Sequence, residues 1–189
     1  PAARNIFLLL TSQPNTVLAT IRSRCQLVRF TALPREVVAQ WLEREKGLDS
    51  TTADEIAGLS GGSMTVADGL TSPTLGALRE EWLGRLGQLA QLSPSGMMQA
   101  ADVMSTPKET LPAVLDVFRI GLRDAMLRAS GVPDEALAMR HRKPTVTADP
   151  ERLVAALALV QDAEVAVRRN VNPRMVAEHV LIGLRGLLA

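Results

Sequence analysis

Leu75-Gly76-Ala77-Leu78-Arg79-Glu80-Glu81-Trp82-Leu83-Gly84-Arg85-Leu86-Gly87-Gln88-Leu89 sets Leu75, Leu78, Trp82, Leu86 and Leu89 three or four positions apart. That spacing predicts a helix with one apolar stripe, because a residue every 3.6 positions returns to the same face. The pattern continues toward the carboxyl end. Ser93-Pro94 opens a helix carrying Met97, Met98, Ala101 and Met104. Thr106, Pro107 and Glu109 supply a cap, a first-turn proline and a capping-box acid for the next. Pro112 moves the start of the regular helix nearer Leu111, or kinks it there. Val114, Leu115, Phe118, Leu122 and Met126 define its face, and Gly131 ends it. Arg140-His141-Arg142-Lys143-Pro144 falls in a polar, irregular stretch that runs to Asp149. Asp149-Pro150 starts a long helix with Leu153, Leu157, Val160 and Val167. Asn172-Pro173 starts the last, with Val176, Val180, Ile182, Leu184 and Leu187.

Toward the amino end, Thr71-Ser72-Pro73 reads as a linker. Three short helices precede it. Pro34 opens the first at its first turn, Val37, Val38, Trp41 and Leu42 form its face, and Gly47 caps its end. Thr52 and Glu55 stand at capping-box spacing for the second, which carries Ile56 and Leu59 and stops at Gly61-Gly62. Ser63 caps the third, which runs to Leu70. Before them, Ile6-Phe7-Leu8-Leu9-Leu10 is a short continuous apolar run closed by Thr11-Ser12-Gln13-Pro14-Asn15. It reads as a strand buried on both faces, as in a parallel sheet whose other strands lie upstream. Gln26–Phe30 alternates weakly and is a second strand candidate. The expected fold is mainly α: a small α/β portion at 1–31, a three-helix unit at 32–72 and an all-helical domain at 73–189. The chain opens on Pro1 and runs directly into the strand, which suggests a fragment.

Composition agrees with a helical chain. Of 189 residues, 47% are hydrophobic and only 3% aromatic, with no Tyr. Leu, Ala and Met are good helix formers. The 21 basic and 20 acidic residues leave a formal charge of +1, so no strong polyanion-binding field follows. One cysteine excludes an internal disulfide and a multi-cysteine zinc site and fits a reducing, cytoplasmic compartment. No apolar run reaches the roughly 18 residues of a membrane span.

The chemistry-bearing stretch is the apolar run Ile6–Leu10, the polar turn after it, and Ile21-Arg22-Ser23-Arg24-Cys25. A buried strand ending in Thr11-Ser12 would deliver hydroxyls to the carboxyl edge of a parallel sheet, where ligands bind in open α/β folds. Arg24, flanked by small residues, offers a planar fork of donors suited to phosphate oxygens, and such a group stabilises a transferring phosphoryl. On the residues alone a solvated loop arginine is the commoner reading of Arg24, because loop arginines are common. Cys25 reads as a small buried thiol. His141 and His179 are isolated and make no metal site. Met97, Met98 and Met104 read as core or interface filler. The Arg140–Lys143 run reads as a solvated loop, with nucleic-acid phosphate the other possibility.

The stretch Phe7–Ser12 through Ile21–Cys25 resembles the sensor-1 strand and Ser-Arg-Cys motif of clamp-loader AAA+ subunits of bacterial DNA polymerase III. Pro1-Ala2-Ala3-Arg4 resembles the end of the segment that precedes that strand. The resemblance implies that Arg24 is an arginine finger acting in trans on ATP held by a neighbouring subunit, with Ser23 and Cys25 as motif support. Thr11 and Ser12 would occupy the nucleotide-sensing position. Gly61-Gly62-Ser63 with Ala67 resembles the start of the last lid helix, so 32–72 would be the lid and 73–189 an oligomerising collar. Thr65 stands where ATP-hydrolysing members carry an arginine. That departure favours a subunit that supplies a finger over a motor subunit (gamma/tau). Arg168-Arg169-Asn170-Val171-Asn172-Pro173 with Glu178 resembles the close of the collar. No Gly-x-x-x-x-Gly-Lys-Ser/Thr loop or acidic strand-end motif occurs, so ATP and Mg²⁺ would be held by neighbouring subunits rather than by these residues. The implied partners are motor subunits and a delta subunit in a five-membered ring, with primed DNA reached through the complex and no membrane. Two other readings stay open: an active AAA+ ATPase, whether a motor subunit or a remodelling factor, and a helical interaction domain unrelated to nucleotides.

Overall fold

The computed structural model describes residues 6–11, 13–142 and 146–189. The chain divides into two compact units, Pro1–Thr31 and Ala32–Ala189. In the first unit the described residues form a 3-10 turn at Pro14–Thr16 and one helical turn, α1 (Ala19–Arg22). The expected strands at Ile6–Leu10 and Gln26–Phe30 are not formed, and no strand occurs among the described residues. The reason is the absence of a partner: a strand exists through hydrogen bonds to a neighbour, and none of these residues provides one. Leu10 is 92% exposed and Phe30 90%. The described residues are therefore mainly α, and the α/β portion expected at 1–31 does not form within them.

The second unit holds two apolar cores. The first is built by α2 (Arg35–Lys46), α3 (Ser50–Leu59) and α4 (Met64–Leu70). Val38, Leu42, Ala53, Ile56 and Ala67 are its buried centre. Val37, placed on this face by the spacing, is instead exposed. Pro34 sits one step outside the first helix as its N-cap, and Gly47 ends it in the left-handed region at φ 65°. Thr52 is not the cap of α3. Asp49 takes that place, its carboxylate accepting the Thr51 and Thr52 N–H groups at 3.1 and 3.0 Å. Glu55, freed from a capping box, binds Arg142 instead.

The second core is built by α5 (Pro73–Gln88), α6 (Pro94–Ser105), α7 (Thr110–Ala129), α8 (Pro150–Arg168) and α9 (Pro173–Leu188). α7 packs on α5 and α8, and α9 on α6 and α8. Trp82 and Phe118 meet edge to face at 5.9 Å between centroids, joining α5 to α7. Gly121 lets α7 approach α5, because a Cβ there would lie 3.2 Å from Leu83 and Leu86 methyls. Pro112 falls inside the first turn of α7, where its missing N–H costs nothing, so the helix runs on past it to Ala129. In α9 the buried face carries Val176, Val180, Leu181 and Leu184, while Ile182 is 65% exposed. Ser93 and Asn172 cap α6 and α9 through their side chains.

The run Arg140–His141–Arg142 is not a solvated loop and offers no open phosphate cradle. Arg140 donates to both Asp54 oxygens at 2.8 and 2.7 Å, and His141 Nε2 lies 3.0 Å from Asp54 Oδ2. Arg142 pairs with Glu55 and Glu80. Lys143 lies outside the described residues. The cations found acids because α3 presents Asp54 and Glu55 side by side, 12% exposed each, and a buried carboxylate needs a partner.

Candidate functional site

The residues singled out for chemistry lie in the first unit. After the turn at Pro14–Thr16, α1 makes one turn and closes on Ser23, whose hydroxyl donates to Thr20 O at 3.3 Å. Hydrogen bonds from the Arg24 and Cys25 N–H groups to Ile21 O and Arg22 O continue the coil, at 3.0 and 3.3 Å. The motif Ser23-Arg24-Cys25 is thus carried at the end of a helical turn. Arg24 is exposed and makes no ion pair among the described residues. Its neighbour Arg22 is held by Asn15 Oδ1 at 3.5 Å.

Thr11 is exposed, and its hydroxyl accepts the Gln13 N–H at 3.0 Å, an ST-type turn rather than a ligand contact. Ser12 and Pro1–Arg4 lie outside the described residues. Cys25 is a free, exposed thiol rather than a buried one. None of the described residues of the first unit is buried, so they form no interior to take the side chain. Within this unit the structure therefore brings Ser23, Arg24 and Cys25 together on one turn. It establishes no contact between them and Thr11.

In the second unit, Gly61 and Gly62 adopt φ 58° and 81°, and Ser63 Oγ accepts the Val66 N–H at 3.3 Å as the cap of α4. Thr65 follows on the first turn of α4. His179 is exposed on α9. Met97 and Met104 are buried in the second core. Met98 is exposed beside Ile182 on a groove of about 310 Å³ between α6 and α9, also lined by Pro94, Leu181 and Arg185. No cluster of metal-ligating side chains occurs among the described residues, and no described helix is long and apolar enough to cross a membrane.

The polar network missed in the sequence is the one around Asp54. Burial pushes that carboxyl upward, but hydrogen bonds and charge from Arg35 and then Arg140 outweigh it and hold it below the ordinary carboxylate range. The Arg142 hydrogen bond lowers the Glu80 carboxyl against its partial burial. The only signal available beforehand was an adjacent acid pair on α3 and a dense basic run far along the chain.

The family described as DNA polymerase III, delta subunit matches residues 1–34, the stretch that carries Ser23-Arg24-Cys25. The chain is also 31% identical over 134 residues to DNA polymerase III subunit delta' of Escherichia coli (strain K12), covering 69% of this chain and 38% of that protein. It spans well under half the length of that curated relative. No solved structure matches the chain. On the motif at its start and the similarity through most of its length, the chain is a delta-prime-like protein.

Proposed function

We propose that this chain forms part of a delta-prime clamp-loader subunit, acting with the DNA polymerase III machinery to place a sliding clamp on primed DNA. The observation that carries the reading is Arg24: it lies inside the family-matched segment, exposed on a helical turn, with no acid engaging it among the described residues. An arginine kept for a phosphate in another subunit needs that condition, since an intramolecular carboxylate would compete for its fork of donors. Residues 1–31 would complete an AAA+ core, 32–72 form its lid, and 73–189 form the collar that assembles a five-membered ring with motor subunits and a delta subunit.

Thr11 and Ser12 would then sit at the sensing edge of the core, with Ser23 and Cys25 supporting the finger. ATP and Mg²⁺ would be bound by the neighbouring motor subunit. Thr65 supports that division of labour, because a threonine cannot supply the fixed positive charge that phosphate hydrolysis uses. The apolar groove between α6 and α9 supports a collar that meets other subunits.

The test is Arg24→Ala in the full subunit, assembled with its partners, read as DNA-stimulated ATP turnover. The finger reading expects a loss of about a thousandfold or more at the site it completes, the scale of other arginine fingers. Unchanged turnover in an assembled complex rejects it.

A further inference from the structure

The segment Leu137–Arg142, between α7 and α8, is held by both helical cores at once. From the first core, Arg35 on α2 donates to the Leu137 and Ala138 carbonyls at 2.5 and 3.1 Å while it pairs with Asp54 at 2.7 Å. Asp54 in turn receives Arg140 and His141. From the second core, Asp124 on α7 accepts the Ala138 and Met139 N–H groups at 3.2 and 2.7 Å. Arg128 on the same helix donates to Arg142 O at 2.8 Å. Arg142 then spans the two, with Glu55 of α3 on one side and Glu80 of α5 on the other, at 3.2 and 2.6 Å.

The contacts that tie this segment to both cores are polar and charged. Leu137, Ala138 and Met139 are buried but belong to neither apolar cluster. Gly58 leaves the space for this arrangement: a Cβ there would collide with the Ala138 carbonyl and the Arg35 guanidinium. The strap is thus seated on α3 by polar contacts at a position where the helix surface has been cut away.

We propose that Leu137–Arg142 is an ionic latch that fixes the α2–α4 core to the α5–α9 core, and that its release lets the first core turn while both cores stay folded. Ionic contacts suit such a device. An apolar interface resists opening through the area it hides from water, whereas charged groups released from one another are rehydrated. The fixed geometry of the Asp54 cluster, with two guanidiniums sharing one carboxylate, permits a single seated arrangement. This inference stands whether or not Arg24 acts as a finger.

The test uses the full chain with Cys25→Ser and spin labels at Glu43→Cys on α2 and Glu151→Cys on α8, both exposed and outside the network. Pulsed electron resonance reads the distance distribution between them. The latch predicts one narrow distribution that shifts and broadens in Asp54→Asn, with helix content by circular dichroism unchanged. Should Asp54→Asn unfold the chain, Arg140→Gln with Arg142→Gln carries the same test, since both side chains lie on the strap outside either core. A distribution unmoved in the folded variants overturns the proposal. So does loss of both cores together in the Arg140→Gln, Arg142→Gln variant, which makes the strap an integral part of one core.

Discussion

Replacing Asp124 by alanine tests how the strap is anchored to α7. Asp124 is fully buried and each carboxylate oxygen takes one backbone N–H, from Ala138 and Met139. Alanine leaves two amides in a dry pocket, and an unsatisfied buried donor costs about 1–3 kcal/mol. The gross loss is therefore about 2–6 kcal/mol. Two effects reduce it. The variant no longer carries a desolvated carboxylate, and part of the strap can move to let water reach the amides. We expect a net loss of about 3 kcal/mol, which for a chain of this size lowers the melting temperature by roughly 6–12 °C. Urea titration followed by circular dichroism gives the free energy, and amide hydrogen exchange at Ala138 and Met139 locates it. Protection at those two amides should fall by more than at the centre of α7. A loss under about 1 kcal/mol with both amides still protected would refute the anchoring argument.

Phe118→Ala removes the ring that meets Trp82 and opens a cavity where α5 and α7 cross. It should cost about 3–5 kcal/mol in urea unfolding, and a loss below about 1 kcal/mol would show that the second core does not depend on this pair. Acid should release the Asp54 network. Burial raises that carboxyl, but Arg35, Arg140 and the facing His141 surround it, and the net folded value lies below the unfolded one. A carboxyl lowered on folding contributes stability that is fully present above its unfolded value and lost as pH falls through its folded value. Glu80, lowered by Arg142, adds in the same direction. The urea midpoint should therefore hold from neutral pH to about pH 5 and fall below about pH 4, with a shallower fall in Asp54→Asn. An acid limb of the same steepness in Asp54→Asn excludes Asp54 as a source.

Most of the helical architecture was legible because helices are local. The stripe Leu75–Leu89, the caps Ser63, Ser93 and Asn172, and the stop at Gly47 depend on residues within a few positions of one another, and each lies where the spacing placed it. The errors at helix ends were also local competitions. Asp49 outcompeted Thr52 as the cap of α3 because an ionised oxygen one turn earlier reaches two N–H groups. The strand readings at Ile6–Leu10 and Gln26–Phe30 failed for the opposite reason. Apolarity marks a segment that wants burial, but a strand needs a partner that local sequence cannot supply.

The motif at the start was legible as a pattern. Ser23-Arg24-Cys25 after an apolar run matched a family, and the same residues are similar to that family by direct comparison. The exposure of Cys25 was not legible, since burial is a property of what surrounds a residue.

By itself, then, the sequence determined a mainly helical chain, the approximate span of its helices and an arginine motif at its start. Hydrophobic period and capping chemistry are written within single turns of helix. Only the tertiary structure decided that Arg140 and Arg142 are paired, that Asp54 gathers cations from α2 and the strap, and that Gly58 makes room for a carbonyl. Those partners lie as far as 103 positions apart along the chain. Charge pairing at that separation depends on which surfaces the packed helices bring together, and no local pattern encodes it.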